Sequence, residues 1–194
     1  MKEGLFIVIY GIKNLGKTTQ ARKLVDSFNI AGLDAEYLEY PIELGKTGER
    51  LKEIMASGLD IDQLEVQRLS STNRLDFQAQ LCKKLIEGIS IVAEGYIGQS
   101  LVEGLSKGLD FDEMMEMNKG LLRPDVSILL DGESFSADAD RETANAREAE
   151  SLSYLNLAEK FSWSIIDANQ GIEEVADDIL KVIEVTIKEI AING

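Results

Sequence analysis

Apolar positions along the chain follow two rhythms. Five short runs have strand length and are rich in β-branched and aromatic residues: Leu5–Tyr10, Ala35–Tyr40, Ile89–Glu94, Val126–Asp131 and Trp163–Asp167. Between them apolar residues recur three and four apart. That spacing predicts helices over Lys17–Ala31, Gly45–Ser57, Ile61–Glu87, Gly98–Met117, Thr143–Lys160 and Ile172–Ile190. Strands alternating with helices predict an α/β fold, a parallel sheet covered on both faces. The first and third runs are almost wholly apolar, as central strands buried on both sides require. Such sheets bind ligands at the carboxyl ends of their strands. Gly11–Thr18, Tyr40–Pro41, Glu94–Tyr96, Asp131–Glu133 and Asp167–Asn169 therefore hold the candidate chemistry.

The chain has 194 residues, only two prolines and no Gly/Ser/Pro-rich linker, which predicts one domain over 1–194. The opening apolar run is too short for a secretion signal, and no run approaches the ~20 residues that span a bilayer. The expected setting is the cytoplasm, away from membranes. Composition narrows the chemistry further. With no histidine and one cysteine, Cys82, there is no imidazole acid–base catalysis, no His-ligated metal, no intrachain disulfide and no Cys-rich zinc site. With 20 Lys+Arg against 35 Asp+Glu the net charge is −15, which disfavours non-specific nucleic-acid and anionic-lipid binding. The remaining tools are carboxylates, Lys and Arg, hydroxyls and backbone amides.

GIKNLGKT, Gly11 to Thr18, fits G-x-x-x-x-G-K-[ST] between a predicted strand and a predicted helix. Its glycines let backbone amides turn inward around a phosphate. Lys17 can reach the β- and γ-phosphates, Thr18 can bind Mg²⁺, and the helix start adds a positive dipole end. In the long helix Ile61–Glu87, a wheel places Asn73, Asp76, Gln80, Lys83, Lys84 and Glu87 outward. It places Gln67, Ser71, Arg74, Leu75 and Gln78 inward, on one stripe with Leu81, Cys82, Leu85 and Ile86. An inward Arg74 needs an anion, either an acceptor phosphate or a structural carboxylate. Glu94 ends the third strand; it either orders Mg²⁺-bound water or caps the next helix. The segment 133–150 is either a mobile lid delivering Arg141 or Arg147, or a solvated helix with internal ion pairs.

In this order the segments resemble thymidylate kinases, P-loop kinases that make dTDP from dTMP and ATP. FIVIYGIKNLGKTTQARKL is similar to the family's opening strand, P-loop and helix. Tyr40–Pro41 resembles the segment after its second strand, STNRLDFQAQLCKKLIEG its long helix, DRET its lid, and SWSIIDANQGIEEVADDI its closing strand, adenine-side loop and last helix. The resemblance implies a P-loop NTPase fold with five parallel strands, helices on both faces and a short lid. It implies ATP and Mg²⁺ as cofactors and a homodimer. The implied ATP site is Gly11, Asn14, Leu15, Gly16, Lys17, Thr18 and Thr19. The implied acceptor site is Lys13, Tyr40, Pro41, Gln67, Ser70, Arg74 and Tyr96, with Arg74 on the acceptor phosphate. Lys17, Glu94, Arg141 and Arg147 are implied in catalysis, and Thr18 and Glu94 at the metal. Departures fall on the acceptor side. Gly95 stands where the family has arginine, Lys13 where it has an acid, and Ser70 and Glu103 at or near aromatic positions. Asn14 follows Lys13 where some relatives carry arginine, an arrangement that goes with lid arginines. The expected acceptor is dTMP. Another nucleotide or nucleoside acceptor, and nucleotide binding with little turnover, are the alternatives.

Overall fold

The computed structural model describes residues 4–57, 61–133 and 141–193. The elements in chain order are β1 (Phe6–Tyr10), α1 (Lys17–Ile30), β2 (Ala35–Glu39), α2 (Gly45–Ser57), α3 (Gln63–Ile86) and β3 (Ser90–Glu94). There follow α4 (Ile97–Ser106), α5 (Phe111–Met117), β4 (Val126–Asp131), α6 (Arg141–Phe161), β5 (Ser164–Asp167) and α7 (Ile172–Asn193). The strands form one parallel sheet in the order β2-β3-β1-β4-β5. Every residue of β1 and β3 is buried, as their apolar sequences require. Each Ile or Val so buried contributes roughly 1.5–3 kcal/mol. In register, Val8 lies between Ala93 of β3 and Ser127 of β4. Helices α1 and α7 pack together on one face; α3, α4 and α6 pack in succession on the other.

Polar side chains fix the strand starts. The Asp125 carboxylate accepts the Phe6 amide at 2.7 Å. Asn29 pairs with both backbone groups of Ala35, at 3.2 and 3.0 Å, and so sets where β2 begins.

Two expectations are corrected. The span Gly98–Met117 is two helices. Gly108, at φ +81°, ends α4, its amide bonding Leu105 O and that of Leu109 bonding Gly104 O; Asp110 then caps α5 by accepting the Glu113 amide at 2.9 Å. In α3 the inward stripe is Gln67, Ser71, Arg74, Gln78, Leu81 and Leu85, while Leu75 and Ile86 are 44% and 62% exposed. Asn73, expected outward, is 2% exposed. Its Oδ1 accepts the Ile42 amide at 2.8 Å and its Nδ2 donates to the Ile42 carbonyl at 2.9 Å, so a neighbouring loop supplies the partners that bury it. Cys82 is free and half-buried. No helix among the described residues is long and apolar enough to cross a membrane.

Candidate active site

The P-loop wraps the carboxyl end of β1. Gly11, Asn14 and Gly16 have φ of +142°, +64° and +81°. A side chain at position 11 would also meet the Leu130 carbonyl, its Cβ only 2.6 Å away. These turns leave α1 with Gly16 at its N-cap, no side chain bonded to its first amides and no acid in its first turn. The amides and the helix dipole are thus open to an anion. Leu15 anchors the loop in the core at 3% exposure, so only its backbone is available to a ligand.

Above the loop lies a cleft of about 730 Å³. Gly11, Lys13, Asn14, Gly16, Lys17, Thr18 and Thr19 form its floor, and Glu94, Glu39, Glu103 and Glu150 stand on its walls. The Lys17 ammonium donates to the Ile12 carbonyl at 2.8 Å. Burial draws its pKa down, while Glu94 and Glu150 oppose that shift. Glu94, 7% exposed at the end of β3, accepts from the Tyr37 hydroxyl. Burial and the Glu94 bond both push the Tyr37 pKa up, so the phenol stays protonated and donating.

A narrow slot opens from this cleft. Tyr40, Pro41, Ser70, Asn73, Arg74 and Tyr96 line it, and it shares Gly95, Gln99 and Glu103 with the cleft. The Tyr40–Pro41 peptide is cis. Arg74 is 5% exposed and pairs with no carboxylate among the described residues. It donates to Asn118 Oδ1 at 3.0 Å, to the Tyr96 carbonyl at 3.1 Å and to Ser100 Oγ, while its Nε is buried without a partner. Burial pulls its pKa down and neighbouring phenols raise it. The two terminal nitrogens of the buried guanidinium are thus held by neutral oxygens at α4, its N-cap and the C-cap of α5.

The structure thus brings together most of the residues singled out in the sequence. Lys13 lies on the cleft floor with the ATP-side residues and not in the slot. Arg74 lines the slot and not the cleft. Gln67 is buried two helical turns before Arg74, roughly 10 Å along the axis, and lines neither cavity. Arg147 is half-buried on α6 and does not line the cleft; burial raises the Glu150 pKa, and Arg147 is close enough to oppose that rise a little, after Lys17. Residues 134–140 of the expected lid and the Arg141 side chain lie outside the described residues. Glu150 and Tyr154 were missed; their i,i+4 spacing on α6 puts both on one face, toward the cleft. Tyr37, Glu39 and Gln99 were missed as well, although each lies within a few residues of a strand's carboxyl end.

Among the described residues no group of three or more His, Cys, Asp or Glu side chains could hold a metal by itself. Mg²⁺ in phosphoryl-transfer sites takes one or two protein oxygens and completes its shell with phosphates and water. The Thr18 hydroxyl and the Glu94 carboxylate, both on the cleft, fit that sparse donor set.

Comparison with known proteins agrees with this architecture. The thymidylate kinase family profile matches residues 9–179. A probable thymidylate kinase of Thermococcus onnurineus is 30% identical over 93% of this chain and 97% of its own. Thymidylate kinases of Dictyostelium discoideum and Homo sapiens are 26% and 28% identical, over 100% and 96% of this chain and 91% and 93% of theirs. The solved structure of a thymidylate kinase from Candida albicans superposes with a TM-score of 0.82 at 20% identity, covering 94% of this chain and 92% of that one, and shares the fold. A P-loop at the head of a 2-3-1-4-5 parallel sheet, and a family match running from the end of β1 past β5, place this chain in the thymidylate kinase family.

Proposed function

We propose that this protein transfers the γ-phosphoryl group of ATP to dTMP. The observation that supports the reading is a roomy cleft over the P-loop and Lys17 that shares Gly95, Gln99 and Glu103 with a small slot beside Arg74. Donor phosphates rest on the P-loop amides with Lys17 alongside. Thr18 and Glu94 would hold Mg²⁺, which would supply positive charge to neutralise the donor phosphates. Glu94 is kept in place by the Tyr37 hydroxyl. The acceptor phosphate is mostly a dianion at pH 7, with a second pKa near ~6, so it attacks without a general base. The absence of histidine is therefore no obstacle. Catalysis is alignment plus charge neutralisation.

With the donor phosphates over the P-loop, the acceptor's base points toward the slot side of the cleft, which places Arg74 at the end of the acceptor remote from the transferred group. Lys13, on the cleft floor, is a second P-loop cation beside the motif's lysine and serves the phosphates. Arginines of 133–150 close over the donor as a lid. The protein works as a cytoplasmic homodimer; sedimentation of the purified chain tests the dimer.

A coupled ADP-release assay over dTMP, dUMP, other monophosphates and thymidine tests the activity. The expected result is fastest turnover with a nucleoside monophosphate. Saturable ATP binding with no ADP release across the panel would instead identify a nucleotide-binding protein with little turnover.

A further inference from the structure

A further cavity lies across α4 from the nucleotide cleft. It holds about 310 Å³ and shares no lining residue with that cleft. Helix α4 is the partition: Ile97, Gly98 and Leu101 face the cavity, Gln99 and Glu103 the cleft. The space far exceeds the one-water voids of a packed core and reaches the size of small-ligand pockets.

Its walls are aromatic. Tyr10 and Trp163 stack at 4.2 Å, Phe161 extends the stack at 6.0 Å from Trp163, and Tyr96 also faces the space. Gly98 lets α4 close on this stack, since a Cβ there would come within 2.5 Å of Trp163 and 2.8 Å of Tyr10. Between Phe161 and Trp163 the chain turns at Ser162, whose φ of +55° lies in the left-handed region that favours glycine. A non-glycine residue kept in that conformation marks a wall whose shape is held by its surroundings.

Most polar side chains of the wall are engaged within the protein. The Gly98 backbone and Ser127 bond the buried Tyr10 hydroxyl, the Tyr96 hydroxyl donates to the Leu122 carbonyl at 3.0 Å, and Asp125 accepts the Phe6 amide at 2.7 Å. Two donors are not engaged. The Arg123 guanidinium and the Ser162 hydroxyl, both exposed, have no hydrogen bond or ion pair among the described residues. An aromatic interior with unpaired donors at its mouth suits a ligand with one ring and one anionic acceptor. A carboxylate matches the planar fork of a guanidinium, with lone pairs left for a hydroxyl.

We propose that this cavity is a second ligand site, for a small aryl carboxylate. The ring lies against Tyr96, Phe161 and Trp163, and the carboxylate meets Arg123 and Ser162. Such a site fills alongside nucleotide and is independent of what the cleft phosphorylates.

Trp163 is the chain's single tryptophan, so its fluorescence reports this cavity directly. The probe is 3-phenylpropanoate, titrated into the full chain and followed by tryptophan emission and by calorimetry. The expected result is one saturable site with a Kd below about 1 mM, the range open to so small a ligand. The neutral 3-phenylpropanamide and the cationic 3-phenylpropylamine should each bind about fivefold more weakly or worse. Arg123→Gln should weaken the carboxylate by about fivefold or more and leave the amide unchanged. Ser162→Gly, which keeps the left-handed turn and removes the hydroxyl, should weaken it about twofold. Saturating ATP and dTMP should leave the probe bound. No saturable signal up to about 10 mM, an amine that binds as well as the acid, or an Arg123→Gln protein of parental affinity overturns the proposal. Displacement of the probe by nucleotide overturns it as well, because the probe then sits in the cleft.

Discussion

Lys17 is a charge held ready by its own loop. Its only hydrogen bond among those described is to the Ile12 carbonyl, a contact that a polyphosphate outcompetes once it arrives. It contributes little to the core, so Lys17→Met should leave the urea unfolding midpoint unchanged while lowering kcat at least ~10²-fold, the loss typical of a main transition-state contact. A folded mutant turning over near the parent rate would remove Lys17 from the mechanism. Arg74 is the opposite kind of residue. It ties α3 to Asn118, Ser100 and the Tyr96 carbonyl, so Arg74→Ala takes the guanidinium donor from Asn118 Oδ1 and Ser100 Oγ and leaves the Tyr96 carbonyl only the Ser100 amide. Stability should fall by about 2–5 kcal/mol. Acceptor affinity should fall tenfold or more, while ATP affinity, measured separately by calorimetry, stays within about twofold. Weakened ATP binding with an unchanged acceptor KM would mean that the slot is not the acceptor site.

At the scale of elements, α3 shows where a wheel diagram stops being informative. Its inner stripe was readable because Leu81 and Leu85 mark the core side and the period carries it back to Arg74. Asn73 was misplaced because its neighbours on the wheel are polar on both sides of the boundary. What buries it is the peptide of Ile42, thirty-one residues away in sequence, which no local pattern reveals. That contact sets the loop after Tyr40–Pro41 against the slot. Asn73→Leu should cost about 3 kcal/mol, since both backbone groups of Ile42 lose their buried partner, and should raise the acceptor KM. A urea titration and steady-state kinetics on one preparation check both. In α6, Arg141 and Arg147 are six residues apart, 600° of helix turn, hence about 120° off a common face. They cannot serve the donor equally. Arg147 already shares its field with Glu150. Arg141→Ala should therefore lower kcat more than Arg147→Ala, by ten-fold or greater, with KM little changed. If neither variant lowers kcat, the segment is a solvated helix.

For the whole molecule, the parallel sheet and the P-loop were legible because both are local signals: short apolar runs, and eight consecutive residues with a fixed spacing. Strand order and the join between cleft and slot were not, since they depend on which strands pair across the chain. The acidic character was legible as a sum but not as a distribution. The structure puts Glu39, Glu94, Glu103 and Glu150 on the walls of the cleft that must admit polyphosphate, with Lys13 and Lys17 on its floor. Near contacts with the lysines act over a few ångströms, whereas the net charge of −15 acts over the whole surface. Between about 0.01 M and 0.15 M salt the screening length shrinks from roughly 30 Å to roughly 8 Å. Over that range the distant carboxylates are screened first and the lysine contacts least. The affinity for MgATP should therefore rise two- to threefold with added salt, opposite in sign to a binding protein whose surface is basic. Calorimetry at fixed free Mg²⁺ and increasing KCl reads this directly. Affinity falling from the first addition of salt would mean that the local lysines, not the global charge, set the field in the cleft.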